Sequence, residues 1–264
     1  RINRRQRQMC IRDRYMSFKF LDNYNFIPFA HRGGSYDFCE NTLDAFNNSI
    51  NLGYRHIETD VRHTKDNKLI IFHDPDLKRI LGLDAKIENL NYEELKNIKI
   101  FETHTIPLLD EALSSWPEIN FNIEPKSLES AYLLKDKLKS MKNIDRICIG
   151  SFSNTKIDIL RNEFKDNLCS SMTKSETILF FLNRFFSIYD NSIPCLQIPM
   201  TYMGFRIVTS DLVEHVHSLG KKIHVWTIND ENQMIDLINI NVDGIMTDKP
   251  TTLKKVLQKK SLWN

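Results

Sequence analysis

From Asn25 onward, apolar runs of strand length alternate along the chain with stretches in which apolar residues recur at helical spacing. Ile27 to Ala30 reads as a first strand. A helix follows from about Asn41 to Leu52, with Leu43, Phe46 and Ile50 on one face and Gly53 as its stop. His56 to Val61 is the second strand. The next apolar run, Leu69 to Phe72, comes too soon for a parallel crossover, which needs about a dozen residues or more. With the turn-like Lys65-Asp66-Asn67-Lys68 before it, it reads as the return arm of a hairpin. Asp74 to Thr105 is of mixed character, with one short helix at Tyr92 to Asn97.

A regular rhythm then resumes. Leu109, Ala112, Leu113 and Trp116 share a helix face before strand three, Asn120 to Glu124. Ala131, Leu134, Leu138 and Met141 share another before strand four, Arg146 to Ser151. Ile157, Leu160 and Phe164 precede strand five, Asn167 to Ser171, and a helical stretch from Ser175 to Ile188 precedes strand six, Cys195 to Ile198. Asp211 to Leu219 is a helix stopped by Gly220, before strand seven, Lys222 to Trp226. Glu231 to Ile240 is helical, Gly244 to Thr247 is strand eight, and Thr251 to Lys259 closes the chain. Eight strands alternating with eight helices predict an α/β fold, a (β/α)8 TIM barrel with a small insertion, about 74–105, between the second and third barrel strands. A doubly wound sheet is the runner-up, but no G-x-G-x-x-G follows any strand.

The candidate chemistry gathers at strand ends, where barrel enzymes place it. Glu58 and Asp60 are two apart on one strand and so share a face. Glu124 ends the neighbouring strand, and three carboxylates at one mouth repel unless a cation or proton sits among them. Oxygen ligands favour Mg²⁺ or Ca²⁺ over Zn²⁺. Lys126 shares the Glu124 face and suits a phosphate oxygen, as does Arg32. His31 and His73 flank the cluster, and only histidine has an unperturbed pKa near neutrality. Trp226, at the end of strand seven, could wall a small apolar group or simply pack the barrel. Each feature alone has an ordinary reading: a solvated strand face, a turn, a surface ion pair. His56, His63, His104, His215, His217 and His224 have no such context and read as structural.

Composition narrows the picture further. The chain has 264 residues, 41% hydrophobic and 27% charged, which suits one barrel-sized domain. A net charge of +2 gives no argument for nucleic acid. The five cysteines, Cys10, Cys39, Cys148, Cys169 and Cys195, are odd in number and without C-x-x-C spacing, so they read as thiols in a reducing, cytoplasmic setting. No apolar run is long enough to span a membrane. Residues 1–24 read as an N-terminal tail. Met9 to Arg14 is what a common transposase adapter encodes in one frame, so part of that tail is expected to be non-native, with the natural start missing or near Met16.

Taken in order, His31-Arg32-Gly33-Gly34, Glu40-Asn41-Thr42, Ile57-Glu58-Thr59-Asp60-Val61, Phe72-His73-Asp74, Asn122-Ile123-Glu124-Pro125-Lys126, Val225-Trp226-Thr227 and Thr247-Asp248-Lys249-Pro250 resemble the glycerophosphodiester phosphodiesterase family over about Phe26 to Leu257. One departure is Cys39, where the family usually has proline before E-N-T. The resemblance implies a metal-dependent phosphodiesterase barrel, with Glu58, Asp60 and Glu124 holding the cation. It implies that one histidine takes a proton from the glycerol 2-hydroxyl or a water and the other protonates the departing alcohol, giving glycerol 3-phosphate. Two other readings stay open: lysophospholipase D-type action on lysophospholipids, and a catalytically silent phosphate- or lipid-binding barrel. Thr177 to Tyr189, with Ile178, Leu179, Phe180, Phe181, Leu182, Phe185 and Phe186, is too short to span a bilayer and more apolar than a barrel helix with one wet face needs. It is expected either to be buried or to make peripheral membrane contact, with Arg184 toward head groups.

Overall fold

In the computed structural model, residues 17–186 and 193–263 are described. Eight strands form the barrel: β1 (Ile27–His31), β2 (His56–His63), β3 (Asn120–Pro125), β4 (Ile147–Ile149), β5 (Cys169–Ser170), β6 (Cys195–Pro199), β7 (Lys222–Trp226) and β8 (Gly244–Thr247). They run parallel in the order β5-β4-β3-β2-β1-β8-β7-β6, and a bridge between Ser171 and Cys195 joins the two ends into a ring. The helices that follow the strands are α1 (Leu43–Asn51), α2 (Leu109–Ser115), α3 (Leu128–Lys139), α4 (Asn154–Phe164), α5 (Lys174–Phe186), α6 (Ser210–Ser218), α7 (Glu231–Asn239) and α8 (Pro250–Lys259). The predicted barrel and its order of elements are therefore observed.

The differences at element ends have local causes. α1 begins at Leu43 because Asn41 takes a left-handed conformation and Thr42 caps the helix, its hydroxyl accepting the Ala45 N–H. β4 starts after Arg146 because that residue lies in a 3₁₀ turn, where its guanidinium donates to the carbonyls of Leu113, Trp116 and Ile119. Leu69–Ile71 runs antiparallel to β2 with Val61 opposite Ile71, as the hairpin reading requires. The insertion holds short helices at Lys78–Leu81 and Tyr92–Leu95 and a small hairpin of Lys99–Ile100 with His104–Thr105. It has its own core of Ile70, Phe72, Leu77, Ile87, Leu95, Ile100 and Ile106.

Placing residues 18–24 in a tail outside the fold needs correction. Lys19–Asp22 is a helical turn, and Phe18, Phe20 and Leu21 are buried against Ile27, Phe29 and the barrel cysteines. Three apolar side chains in seven residues gave that signal, but the basic run before them masked it. The segment also engages His56, whose Nε2–H donates to the Phe20 carbonyl at 3.1 Å while the rings of Phe20, Tyr24 and Phe29 pack edge-on around it. Residues 1–16, including Met9 to Arg14 and Met16, lie outside the described residues, as do 187–192 and Asn264.

Burial holds the His56 pKa down to about 3, against an ordinary 6.5, so the imidazole stays neutral in the fold. The unfolded chain takes up that proton below about pH 6.5 and the fold refuses it until about pH 3. Stability from this group is thus present above the unfolded pKa and is lost as pH falls through that window. His56→Leu is expected to flatten the acid limb of the melting temperature between pH 6.5 and 4, whatever its effect at neutrality. An equally steep limb in that variant would refute the assignment.

Candidate active site

The site is set by β2. Glu58 and Asp60 are only 5% and 1% exposed, on the same face of the strand at the barrel mouth. Register places Glu58 beside His31 of β1 and Asp60 beside Glu124 of β3. Four predicted residues, His31, Glu58, Asp60 and Glu124, thus come together through three neighbouring strands, as the sequence reading expects. His31, Arg32, Glu58, Asp60, His73, Glu124, Lys126 and Trp226 all line one open cavity of about 660 Å³.

The turn after β1 aims Arg32 inward. Arg32, Gly33 and Gly34 all have positive φ, and a Cβ on Gly33 would stand 2.7 Å from the Phe46 ring. In this turn the Arg32 N–H donates to Glu58 Oε2 at 3.0 Å, while its guanidinium reaches Glu40 at 3.2 Å and Asp60 at 3.3 Å. Lys126 Nζ bridges Glu124 at 2.8 Å and Asp60 at 2.7 Å. Burial is the largest influence on Asp60 and acts to raise its pKa. Lys126 and Arg32 outweigh it and hold the carboxyl below its usual range. Glu58 has less compensation: burial, and then the charge of Asp60, pushes it up to about 7.

Each histidine is oriented by a carboxylate. His31 Nδ1 is 2.6 Å from Asp248, and its Nε2 is 3.7 Å from Glu58. Burial lowers the His31 pKa, but Glu58 and Asp248 together carry it above its ordinary value. His73 Nδ1 is 2.7 Å from Asp74, whose other oxygen pairs with Arg79. Arg79 also forks onto Glu40, at 2.6 and 3.1 Å, tying the insertion to the Arg32 loop. The positioning residues Glu40, Asn41, Asp74, Arg79, Asn229 and Asp248 received no role from the sequence. Most belong to quoted motifs, yet their partners lie far off: Asp248 is 217 positions from His31. Asn41 donates to Asp60 at 3.0 Å, and Asn229 donates to Asp248 at 2.7 Å. Cys39, the departure from the family pattern, leaves this loop tied, since its carbonyl accepts the Thr42 hydroxyl at 2.8 Å.

The donor set suits a hard cation. Three carboxylates line the cavity, with two cationic side chains among them, and the buried Glu58 lacks a full counter-charge. In the arrangement seen, Lys126 stands between Asp60 and Glu124, so the three carboxylates are not drawn together around a point. The remaining wall is apolar. Trp226 packs edge-on to Phe152 with ring centroids 5.6 Å apart, and Met172, Ile178, Phe181, Leu182 and Ile207 continue the lining. None of the six histidines read as structural lines this cavity.

Comparison with known proteins identifies the family. The sequence model of the Glycerophosphoryl diester phosphodiesterase family matches residues 31–252. The Mycobacterium tuberculosis protein named Probable glycerophosphodiester phosphodiesterase 2 is 28% identical, over 93% of this chain and 96% of its own length. Lysophospholipase D GDPD1 of Homo sapiens is 27% identical, over 86% of this chain and 85% of its own. The crystal structure of the glycerophosphodiester phosphodiesterase from Thermotoga maritima superimposes with a TM-score of 0.69 at 29% identity, covering 88% of this chain and 98% of that one. With its family match running from the end of β1 into α8, the chain belongs to the glycerophosphoryl diester phosphodiesterase family.

Proposed function

We propose that this barrel hydrolyses glycerophosphodiesters to glycerol 3-phosphate and an alcohol, by acid–base catalysis from His31 and His73 beside a divalent cation. The observation that carries the reading is the carboxylate cluster of Glu58, Asp60 and Glu124, flanked in one cavity by two histidines, each held by its own carboxylate. Glu58, Asp60 and Glu124 would hold Mg²⁺ or Ca²⁺, which supplies charge neutralisation at the phosphate and acidifies a bound hydroxyl. Arg32 and Lys126 attract the phosphoryl oxygens. Asp248 and Asp74 engage the Nδ1 atoms, which leaves each Nε2 free to move a proton. One histidine takes the proton of the attacking glycerol 2-hydroxyl or water. The P–O bond to the alcohol breaks, and the other histidine donates the proton its oxygen needs. Attack by water gives glycerol 3-phosphate directly; attack by the 2-hydroxyl gives a cyclic phosphate, which a water then opens by breaking the P–O bond to the 2-oxygen, with the two histidines exchanging roles. The intact set also argues against a silent binding barrel.

A second reading has its own observation. The cavity wall is largely apolar and runs out to exposed Phe152, Ile178, Leu182 and Tyr202. Leu179, Met203 and Phe205 stand beside them in sequence, also exposed, with Met203 81% and Phe205 76% so. A water-soluble diester has no use for that rim, whereas a single acyl chain does, so lysophospholipids at a membrane surface are the alternative substrate. The stretch expected to be buried or interfacial is helical over Lys174–Phe186, and its exposed Ile178, Leu179 and Leu182, beside a buried Phe180, support surface contact. Tyr189, at the end of that stretch, lies outside the described residues. The described cysteines are unpaired, which supports a reducing, cytoplasmic setting.

Two mutational experiments test these readings. Alanine at Glu58, Asp60 or Glu124 is expected to weaken cation affinity and turnover together, with part of the loss recovered at high Mg²⁺ or Ca²⁺. Alanine at His31 or His73 is expected to lower kcat by about 10²- to 10⁴-fold while calorimetric cation affinity stays near wild type. Near-normal turnover in both histidine variants at saturating cation would remove the acid–base roles. For the surface reading, a Leu179→Ser, Met203→Ser, Phe205→Ser triple variant is expected to lose vesicle flotation and lysophosphatidylcholine turnover by on the order of tenfold. Its glycerophosphocholine turnover should be unchanged. Equal flotation of the variant and the parent would remove the membrane contact.

A further inference from the structure

Three thiols meet inside the barrel, apart from the catalytic mouth. Cys148 of β4, Cys169 of β5 and Cys195 of β6 are each at most 2% exposed, and their Sγ atoms all lie within 4.8 Å of one another. Among the described residues no other set of three or more His, Cys, Asp or Glu ligand atoms is so close. Strand register produces the meeting. Cys148 pairs with Cys169, and Cys195 lies opposite Ser171, two residues beyond Cys169. Each cysteine also precedes by two positions a residue that lines the cavity: Gly150, Ser171 and Gln197. With a side-chain period of two, the thiols form the layer beneath the cavity floor.

A buried imidazole stands next to this layer, outside the 4.8 Å grouping of the three sulfurs. His224 of β7 is 0% exposed, and its Nε2 is buried with no hydrogen-bond partner. Its Nδ1 lies 3.5 Å from Gln197 Nε2, so the ring sits against the same part of the barrel wall. Burial pushes the Cys148 and Cys169 thiols well above their usual range, while Cys195 is drawn well below it, first by the thiols of Cys148 and Cys169 and also by His224. Phe20, Phe29 and Met246 pack around the cluster and leave it an apolar shell. As plain core filling this arrangement is poor: a buried imidazole nitrogen without a partner costs free energy that an apolar residue would not.

We propose that Cys148, Cys169 and Cys195 form a three-thiolate site for a thiophilic d¹⁰ cation, Zn²⁺ or Cu⁺, with His224 as the adjoining nitrogen donor. Three sulfurs about 2.3 Å from one ion stand about 3.8–4.0 Å apart, a spacing the observed cluster, within 4.8 Å, reaches by a contraction of about an ångström at most. Sulfur and imidazole select such ions, while the oxygen cluster at the mouth selects Mg²⁺ or Ca²⁺, so two sites in one barrel are sorted by ligand softness. Loading converts the thiols to thiolates and releases their protons to solvent, with no change of oxidation state. Because the sulfurs are buried, the ion enters as the barrel closes around it and does not exchange freely with solvent.

The test uses the full chain, refolded under reducing conditions with Zn²⁺, Cu⁺ or Co²⁺ and dialysed against EDTA. Expected are one retained Zn²⁺ or Cu⁺ per chain by elemental analysis and a thiolate-to-Co²⁺ charge-transfer band, with the relative retention of Zn²⁺ and Cu⁺ naming the ion. Both signals should vanish in Cys195→Ser and persist in Cys39→Ser. Should Cys195→Ser not fold, the parent chain decides alone: folded protein that keeps no EDTA-resistant metal and shows no band overturns the proposal. Equal retention by a folded Cys195→Ser chain also overturns it, since the metal would then be adventitious.

Discussion

Two carboxylates two residues apart, buried at the end of one strand, are the constraint from which the rest of this molecule follows. Glu58 and Asp60 cannot both stay ionised in a low-dielectric barrel mouth unless positive charge is brought to them. Arg32 and Lys126 supply part of it from the adjoining strands, and Asn41 donates to Asp60 from the next loop. The positive-φ turn at Arg32-Gly33-Gly34 exists to bring one guanidinium inward, and Glu40 and Arg79 lock that turn to the insertion. The compensation is incomplete, and Glu58 carries the deficit. That deficit supports the proposed cation site, since a divalent ion would remove a repulsion the protein has left unresolved.

The mouth therefore has two halves. One is a charged arc of β1, β2 and β3, completed by His73 and Asp74 at the start of the insertion. The other is an apolar arc from Phe152 through α5 to Trp226. The charged arc accounts for phosphodiester chemistry whatever the alcohol. The apolar arc bears only on what the alcohol or acyl portion can be, and the relatives similar to this chain over most of its length are named for both kinds of substrate.

Much of this was legible in the sequence, for physical reasons. A parallel barrel strand buried on both faces must be a short apolar run, so polar residues within β1, β2 and β3 stood out against it. The E-x-D spacing alone placed Glu58 and Asp60 on one face. What could not be read was any role created by closure of the ring. Asp248 orients His31 only because β8 lands beside β1, and Arg79 reaches Glu40 only through the path of the insertion. The ion pairs of Lys126 with Asp60 and Glu124 likewise depend on how β2 and β3 meet, and spacing alone did not show them. Phe18, Phe20 and Leu21 were passed over because the basic run before them looked like a tail, and burial depends on where the chain is led rather than on the local composition.

Release of glycerol 3-phosphate from glycerophosphocholine by the wild-type chain, followed in chelator and then with Mg²⁺ or Ca²⁺ restored, tests the central claim most directly. The carboxylate deficit at Glu58 predicts loss of turnover in chelator, together with a gain in thermal stability when either ion is added back and turnover returns. Full turnover in chelator, with no stabilisation by either cation, would contradict it.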